Sequence, residues 1–134
     1  MVKPPPPQCY YTVPIDISVK ASQIVNNGRA EYVARKPDRF VALGTVPMAD
    51  GLEAANELER AICNLGLKGV QVLMNIAGRE LSDPSLAPFW AKAEELGALI
   101  VLHPNGFTEG SVLLVFISIT LLGIHWKRRS RCTT

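Results

Sequence analysis

The chain has 134 residues, of which 48% are hydrophobic and 19% are charged, so it is long enough for one domain with a buried core. Its formal net charge is +2, yet four of its 14 basic residues lie in the last eight positions, as Lys127, Arg128, Arg129 and Arg131. Without those four, the basic residues no longer outnumber the 12 acidic ones. This balance excludes the broad basic surface that is typical of nucleic-acid-binding proteins.

Cysteine usage and the N-terminus bear on the cellular compartment. Cys9, Cys63 and Cys132 are widely spaced and form no CxxC pair, so neither a zinc ribbon nor a redox motif is indicated. An odd cysteine count without an apolar signal segment favours a reducing, cytoplasmic location. Residues 1–15 contain the prolines of positions 4–7 and are predicted to form an extended lead-in rather than a folded element.

Helical and strand patterns alternate over residues 16–110, which we predict to be the folded domain. The first helix is predicted over residues 17–36, and Pro37 ends it. Its apolar face is predicted to include Val19, Ile24, Ala30, Val33 and Ala34.

Two further helices carry clear end signals. Asp50 and Glu53 are predicted to cap the second helix, and Gly66 to end it. Asp83 and Pro84 open the third helix, and Gly97 closes it. Their predicted apolar faces are Leu52, Ala55, Leu58, Ile62 and Leu65 in the second helix, and Leu86, Phe89, Trp90, Ala93 and Leu96 in the third.

Three short apolar runs, at residues 40–46, 69–74 and 98–102, are predicted to be strands. Their even spacing, with a helix between each pair, indicates an α/β fold with a parallel sheet whose strands are adjacent in chain order. No GxGxxG motif follows any of them, which argues against a dinucleotide-binding sheet. The rhythm by itself is compatible with a barrel segment or with an open sheet.

The βα rhythm stops after Gly110. Residues 111–126 form an uncharged apolar run that is followed by the basic cluster KRRSR. This third segment, residues 111–134, is either a buried strand or a membrane-contacting helix with a basic flank. As a helix it is shorter than the roughly 20 residues that span a bilayer.

Three strings, in order, resemble the amidohydrolase-related family, in particular the aminocarboxymuconate-semialdehyde decarboxylases. They are PDRFVALGTVPM at residues 37–48, LGLKGVQV at 65–72 and DPSLAPFWAKAEELGALIVLHPNG at 83–106. Asn26 and Asn27, which precede an A-x-x-V pattern, add to the resemblance. The resemblance implies a partial (β/α)8 barrel of about three parallel strands with flanking helices, and chemistry at the carboxyl ends of those strands.

The resemblance also implies a divalent metal, usually zinc, and a small unsaturated or aromatic carboxylic acid as substrate. Of the family's metal ligands only one maps onto this sequence, at His103, where a strand runs into the pair His103-Pro104. Asn75 matches a family position after the second strand and is a candidate substrate-binding residue, although a turn role fits it equally well. The only other histidine, His125, lies in the apolar segment, outside any family motif.

Three functional hypotheses follow. The first is a decarboxylase of this family, or a hydrolase of the same family, present here as a truncated piece that lacks most of the active site and has no catalytic residue to assign. The second is a non-catalytic piece that self-associates, because an incomplete barrel leaves open strand edges. The third is a membrane-tethered protein that contacts the bilayer through residues 111–126.

Overall fold

The computed structural model describes residues 1–5 and 9–104. In chain order it contains helix α1 (Ile15–Ala34), helix α2 (Gly51–Glu59), strand β1 (Gly69–Leu73), helix α3 (Ala87–Leu96) and strand β2 (Leu99–His103). A π-helical turn, Arg60–Asn64, continues α2, and a 3₁₀ turn, Pro84–Leu86, leads into α3. The domain boundary at residue 110 and the apolar run 111–126 lie outside the described residues.

The described strands form a parallel arc. β1 and β2 pair in parallel, with Gly69 opposite Leu99 and Leu73 opposite His103. Gly44 forms a parallel bridge with Val70, on the other side of β1. The predicted order and direction of the three strand regions are therefore confirmed. The region 40–46 is corrected in one respect, because isolated bridges replace the continuous strand that its apolar run predicted.

The N-terminal residues add a further member to this arc. Val2 forms a parallel bridge with Ala42, its N–H donates to the carbonyl of Val41 at 2.8 Å, and its own carbonyl accepts from Leu43 at 2.8 Å. The sequence predicted only an extended lead-in here and missed the pairing. Val2 belongs to the sheet, and the prediction is also wrong for residues 9–15, which form turns and the start of α1.

Side chains from α1 and α2 continue the hydrogen-bond pattern where this pairing stops. Thr45 N–H donates to Asn26 Oδ1 at 2.8 Å, and Asn26 Nδ2 donates to the Thr45 carbonyl at 2.9 Å. The amide of Asn26 thus satisfies the two backbone groups that a neighbouring strand residue would bind. Asn26 Nδ2 also donates to Glu57 Oε1, which lies 2.6 Å away, and Arg60 binds both carboxylate oxygens of Glu57 at 2.8 Å. This buried network joins α1, α2 and the sheet.

The helix ends follow the local signals in the sequence. Asp50 accepts hydrogen bonds from the N–H groups of Leu52 and Glu53, as a helix cap should. Asp83 accepts from the Ser85 N–H at the start of the turn before α3. The chain leaves α3 through Gly97, which has the left-handed φ of 60° that favours glycine. The caps at Asp50, Asp83 and Gly97 are confirmed, whereas the predicted return bond from Glu53 is not formed, because the Asp50 N–H donates to the Pro47 carbonyl at 3.1 Å.

The core lies between the helices and one face of the sheet. It contains Leu58, Val70, Val72, Phe89 and Leu96, all at most 2% exposed. Phe89 was predicted to be core, and Trp90 packs against the same cluster while its Nε1–H donates to the Leu81 carbonyl at 3.0 Å. The predicted apolar face of α2 is wrong at Leu52, which is 61% exposed.

The buried face of α1 agrees with the predicted one at Ala30 and Val33, which are partly buried against the core, and differs from it towards the start of the helix. The helix begins at Ile15 and ends at Ala34, rather than covering residues 17–36. Its buried residues are Ser18, Ser22 and Asn26, whereas Ile24 is 72% exposed. The apolar periodicity missed this side of the helix because its buried side chains are polar, and one of them, Asn26, binds the backbone of Thr45. Within residues 1–5 and 9–104, no helix combines the length and the apolar character that crossing a membrane requires.

Candidate functional site at the carboxyl edge of the strands

The two predicted site residues lie at the same edge of the sheet. His103 is the last residue of β2, opposite Leu73, the last residue of β1. The Met74 N–H donates to the His103 carbonyl at 3.0 Å, and Asn75 follows directly. Because the strands are parallel, both residues lie at their carboxyl ends, which is where barrel enzymes place their chemistry.

The hydrogen bond of His103 fixes which tautomer its neutral ring adopts. Its Nδ1 lies 2.8 Å from the Pro104 carbonyl oxygen. A carbonyl oxygen only accepts, so Nδ1 carries the proton and Nε2 of the neutral ring keeps its lone pair. A backbone carbonyl that binds one ring nitrogen while the other is directed to a metal is a common arrangement in metal sites. His103 is partly buried, so its ring is held but accessible.

Asn75 has the turn role that its sequence context also allowed. Its Oδ1 accepts from the Gly78 N–H at 2.7 Å, and the side chain is exposed. The turn contains two left-handed residues, Ala77 with φ 51° and Gly78 with φ 88°. The position at the carboxyl edge is compatible with a pocket-lining role, and that role stays a prediction.

Arg79, which the sequence analysis did not single out, holds this turn against the loop before α2. One guanidinium nitrogen, Nη2, donates to the carbonyls of Met48 at 3.1 Å and Ala49 at 2.8 Å. The other, Nη1, donates to Ser85 Oγ at 3.0 Å. The arginine therefore fixes the position of the loop that carries Asn75.

The N-terminal segment contributes two buried groups near the same edge. Tyr11 is 7% exposed, and its hydroxyl oxygen accepts from the Leu73 N–H at 3.4 Å. Cys9 is fully buried, and burial raises the pKa of its thiol; burial likewise raises the pKa of the Tyr11 phenol. Both groups are therefore neutral near pH 7. Sequence reasoning missed them because it treated residues 1–15 as a lead-in without structure.

The described residues do not form a complete metal site. Among residues 1–5 and 9–104 there is no group of three or more histidine, cysteine, aspartate or glutamate side chains placed to hold a metal ion. A catalytic zinc site needs about three protein ligands and an open position. His103 is thus a candidate ligand without described companions, and His125 lies outside the described residues.

An apolar cavity of about 260 Å³ lies at the other end of the sheet. It is lined by the end of α1, by residues 40–42 and by residues 65–68, which precede β1. It lies at the amino ends of the strands, away from His103, so it takes no part in the candidate site.

Comparison with known proteins relates the chain to one family over most of its length. The family described as amidohydrolase matches residues 19–125. The 2-amino-3-carboxymuconate-6-semialdehyde decarboxylase of Dictyostelium discoideum is 39% identical over 95 residues, which are 71% of this chain and 26% of the relative. The chain therefore spans about a quarter of that curated relative.

Solved structures share the fold. The 5-carboxyvanillate decarboxylase of Sphingomonas paucimobilis has a TM-score of 0.76 at 24% identity, over 94% of this chain and 37% of that one. The enzyme of the same name from Novosphingobium aromaticivorans, solved with manganese and 4-hydroxy-3-methoxy-5-nitrobenzoic acid, has a TM-score of 0.72 at 25% identity, over 90% and 34% of the chains. The likeness confirms the predicted fold class, part of a (β/α)8 barrel.

Proposed function

We propose that this chain, which belongs to the amidohydrolase family, forms part of the barrel of a metal-dependent decarboxylase that acts on a small aromatic or unsaturated carboxylic acid. The observation that carries the proposal is the position of His103 at the carboxyl end of a parallel strand, with its Nδ1 bound to the Pro104 carbonyl. The decarboxylases to which the chain is similar support the reaction type and the substrate class.

In this proposal His103 is the metal ligand that the described residues supply. A bound divalent ion would hold the carboxylate of the substrate at the barrel mouth. The resemblance implied zinc, whereas the related structure from Novosphingobium was solved with manganese, so the proposal extends to either ion. Because the other ligands must come from outside the described residues, we expect the chain alone to bind metal weakly and to have little or no activity.

Asn75 is proposed to line the substrate pocket. Its amide lies on the turn that follows β1, next to the strand end that carries His103. Arg79 fixes this turn through three hydrogen bonds. A side chain held in this way contributes to binding through its position, so its removal should raise KM more than it lowers kcat.

The proposal is tested in a complete barrel. Residues 37–104 of this chain replace the matched segment of the Dictyostelium decarboxylase, and carbon dioxide release is measured with Mn²⁺ or Zn²⁺ added. We expect the chimaera to be active and its His103→Ala variant to lose activity by at least about 100-fold, together with its bound metal. Asn75→Ala should raise KM while the metal content stays unchanged.

Glu94→Ala is the matched control, because Glu94 is exposed on α3. A chimaera that folds and binds metal equally well with and without His103 would refute the metal-ligand role. A chimaera that hydrolyses an amide or ester substrate and releases no carbon dioxide would favour the hydrolase alternative within the same family.

Two proposals concern assembly. β2 is an edge strand of the described sheet and begins with Leu99, which is 48% exposed, so a second chain is proposed to pair along it. We also propose that residues 111–126 contact a membrane. The alternative prediction is a cytoplasmic location. Sedimentation of the full chain and of residues 1–110, with and without lipid vesicles, tests them: a full chain that stays monomeric in the supernatant would contradict both assembly proposals.

A further inference from the structure

Helix α1 has a solvent-exposed face on which the described residues make one side-chain contact, the hydrogen bond from Arg60 Nη1 to Asn27 Oδ1 at 2.9 Å. Its buried residues are Ser18, Ser22 and Asn26, which lie on one side of the helix. At 3.6 residues per turn the opposite side carries a single stripe. We call it the outer stripe, and all its members are exposed: Asp16, Lys20, Ile24, Asn27, Glu31 and Arg35.

The four charges of the outer stripe are arranged as acid, base, acid, base. Asp16 and Lys20 lie in the first half of α1, Glu31 lies in its second half, and Arg35 directly follows its last residue. Among the described residues, ion pairs join Arg60 to Glu57 and Lys92 to Glu59 and Glu95, so none involves the stripe. The charges are therefore available to a partner.

This arrangement is complementary to itself when the helix is reversed. In an antiparallel pair of copies centred between positions 25 and 26, position 16 faces position 35, and position 20 faces position 31. Asp16 then meets Arg35 of the second copy, Lys20 meets its Glu31, and the two-fold axis repeats both contacts. In a parallel pair each charge would face its own equivalent, which is repulsive.

The middle of the stripe fits a close helix-to-helix contact. Ile24 is 72% exposed, and in the antiparallel register it faces Asn27 of the second copy. Gly28 follows, and a Cβ built on it would meet nothing within 4 Å. Glycine inside a helix costs about 1 kcal/mol relative to alanine. Because no neighbour in the same copy crowds position 28, packing within one copy does not require a glycine there. Ile24 of the second copy would lie over this gap.

We propose that two copies of this chain associate through the outer stripes of their α1 helices, in antiparallel orientation. The contact is two-fold symmetric, so each copy uses the same surface and the pair is closed. A single helix-on-helix contact belongs to the small, weak class of interfaces, and the association is concentration-dependent. It leaves the carboxyl edge and the edge strand β2 unobstructed.

Charge reversal in the full-length chain tests the proposal. Lys20→Glu and Glu31→Lys are prepared separately, and the self-association of each is measured by sedimentation velocity over a concentration series. Each reversal places like charges at both symmetric contacts, so each variant should self-associate at least about tenfold more weakly than the unmodified chain.

Mixing the two variants restores the complementarity. The glutamate introduced at position 20 of one variant then faces the lysine introduced at position 31 of the other, and the native pair of Lys20 and Glu31 forms at the second contact. The mixture should therefore associate about as strongly as the unmodified chain.

Matched reversals away from the stripe serve as controls. Glu94→Lys and Lys68→Glu change exposed side chains on α3 and before β1, and neither should alter the association. Raising the ionic strength from about 0.1 M to about 1 M shortens the Debye length from about 10 Å to about 3 Å and should weaken the native pair. Circular dichroism checks that every variant folds.

The proposal is overturned if the unmodified chain is monomeric at millimolar concentration. It is also overturned if the two single variants associate as strongly as the unmodified chain, a result that would point to strand-edge pairing instead. Failure of the mixture to associate, with both variants folded, would show that the stripe charges are only solvated helix charges.

Discussion

Replacing Asn26 by alanine should destabilise the protein more than any other single polar substitution in α1. The side chain is fully buried and makes three hydrogen bonds. Two join it to the N–H and carbonyl of Thr45, at 2.8 and 2.9 Å, and the third reaches Glu57 Oε1. Alanine cannot replace any of them, and the site is closed to water by α1 and α2.

The magnitude follows from the groups left without partners. Leaving a buried donor or acceptor unsatisfied costs about 1–3 kcal/mol, and the substitution does this to two backbone groups of Thr45. Glu57 keeps its two bonds to Arg60, so its carboxylate stays paired. We therefore expect the free energy of unfolding to fall by about 3–5 kcal/mol, a large part of the roughly 5–15 kcal/mol that holds a domain together.

Urea unfolding followed by far-ultraviolet circular dichroism measures this change, and hydrogen exchange at the Thr45 amide reports on it locally. Asn27→Ala is the matched control, because the neighbouring side chain is exposed and only accepts one bond from Arg60, at 2.9 Å. It should cost no more than about 0.5 kcal/mol. Equal effects of the two substitutions, with Thr45 still protected in Asn26→Ala, would refute the reasoning.

Three other substitutions or conditions probe separate features. Gly44→Ala places a Cβ 2.6 Å from Asn26 Oδ1 and should cost about 1–3 kcal/mol in urea unfolding, whereas Gly28→Ala should be neutral or stabilising in the monomer. Asp50→Ala removes the cap of α2 and should cost about 1 kcal/mol in the same assay. Burial raises the pKa of the Cys9 thiol above its ordinary value of 9.0. The stability that comes from keeping this thiol neutral is therefore complete below that pH and is lost as the pH rises towards the folded-state pKa. The free energy of unfolding should fall above about pH 9, and it should fall less steeply in Cys9→Ala.

The parts of the fold that the sequence predicted are those that depend on neighbouring residues. Asp50 and Asp83 cap helices by binding N–H groups two or three positions ahead, so the residues that define the signal are adjacent. Gly97 ends α3 through its own left-handed conformation. The strand order follows from the helix between each pair of strands, which forces a parallel connection.

The parts that the sequence did not predict depend on contacts between distant residues. Val2 pairs with Ala42, forty positions away, through backbone groups that every residue possesses, so no side chain announces the pairing. Asn26 pairs through its side-chain amide, but the residues around it in the helix do not indicate that Thr45 lies beside it. An apolar-periodicity argument assigns such a residue to the solvent side, which is why the prediction for α1 missed its buried polar residues.

The candidate site likewise has one part that the sequence predicted and another part that it did not. His103 was identified through the resemblance of the strings around it to the amidohydrolase-related family, and in the structure it is the last residue of β2. A metal site also needs ligands from other strand ends, and those lie far apart in any sequence. The described part of the chain supplies one such end with its ring nitrogen oriented by Pro104. The proposed activity therefore requires that other strand ends meet His103 at the same mouth, and a complete barrel carrying this segment is the setting in which the proposal has to be tested.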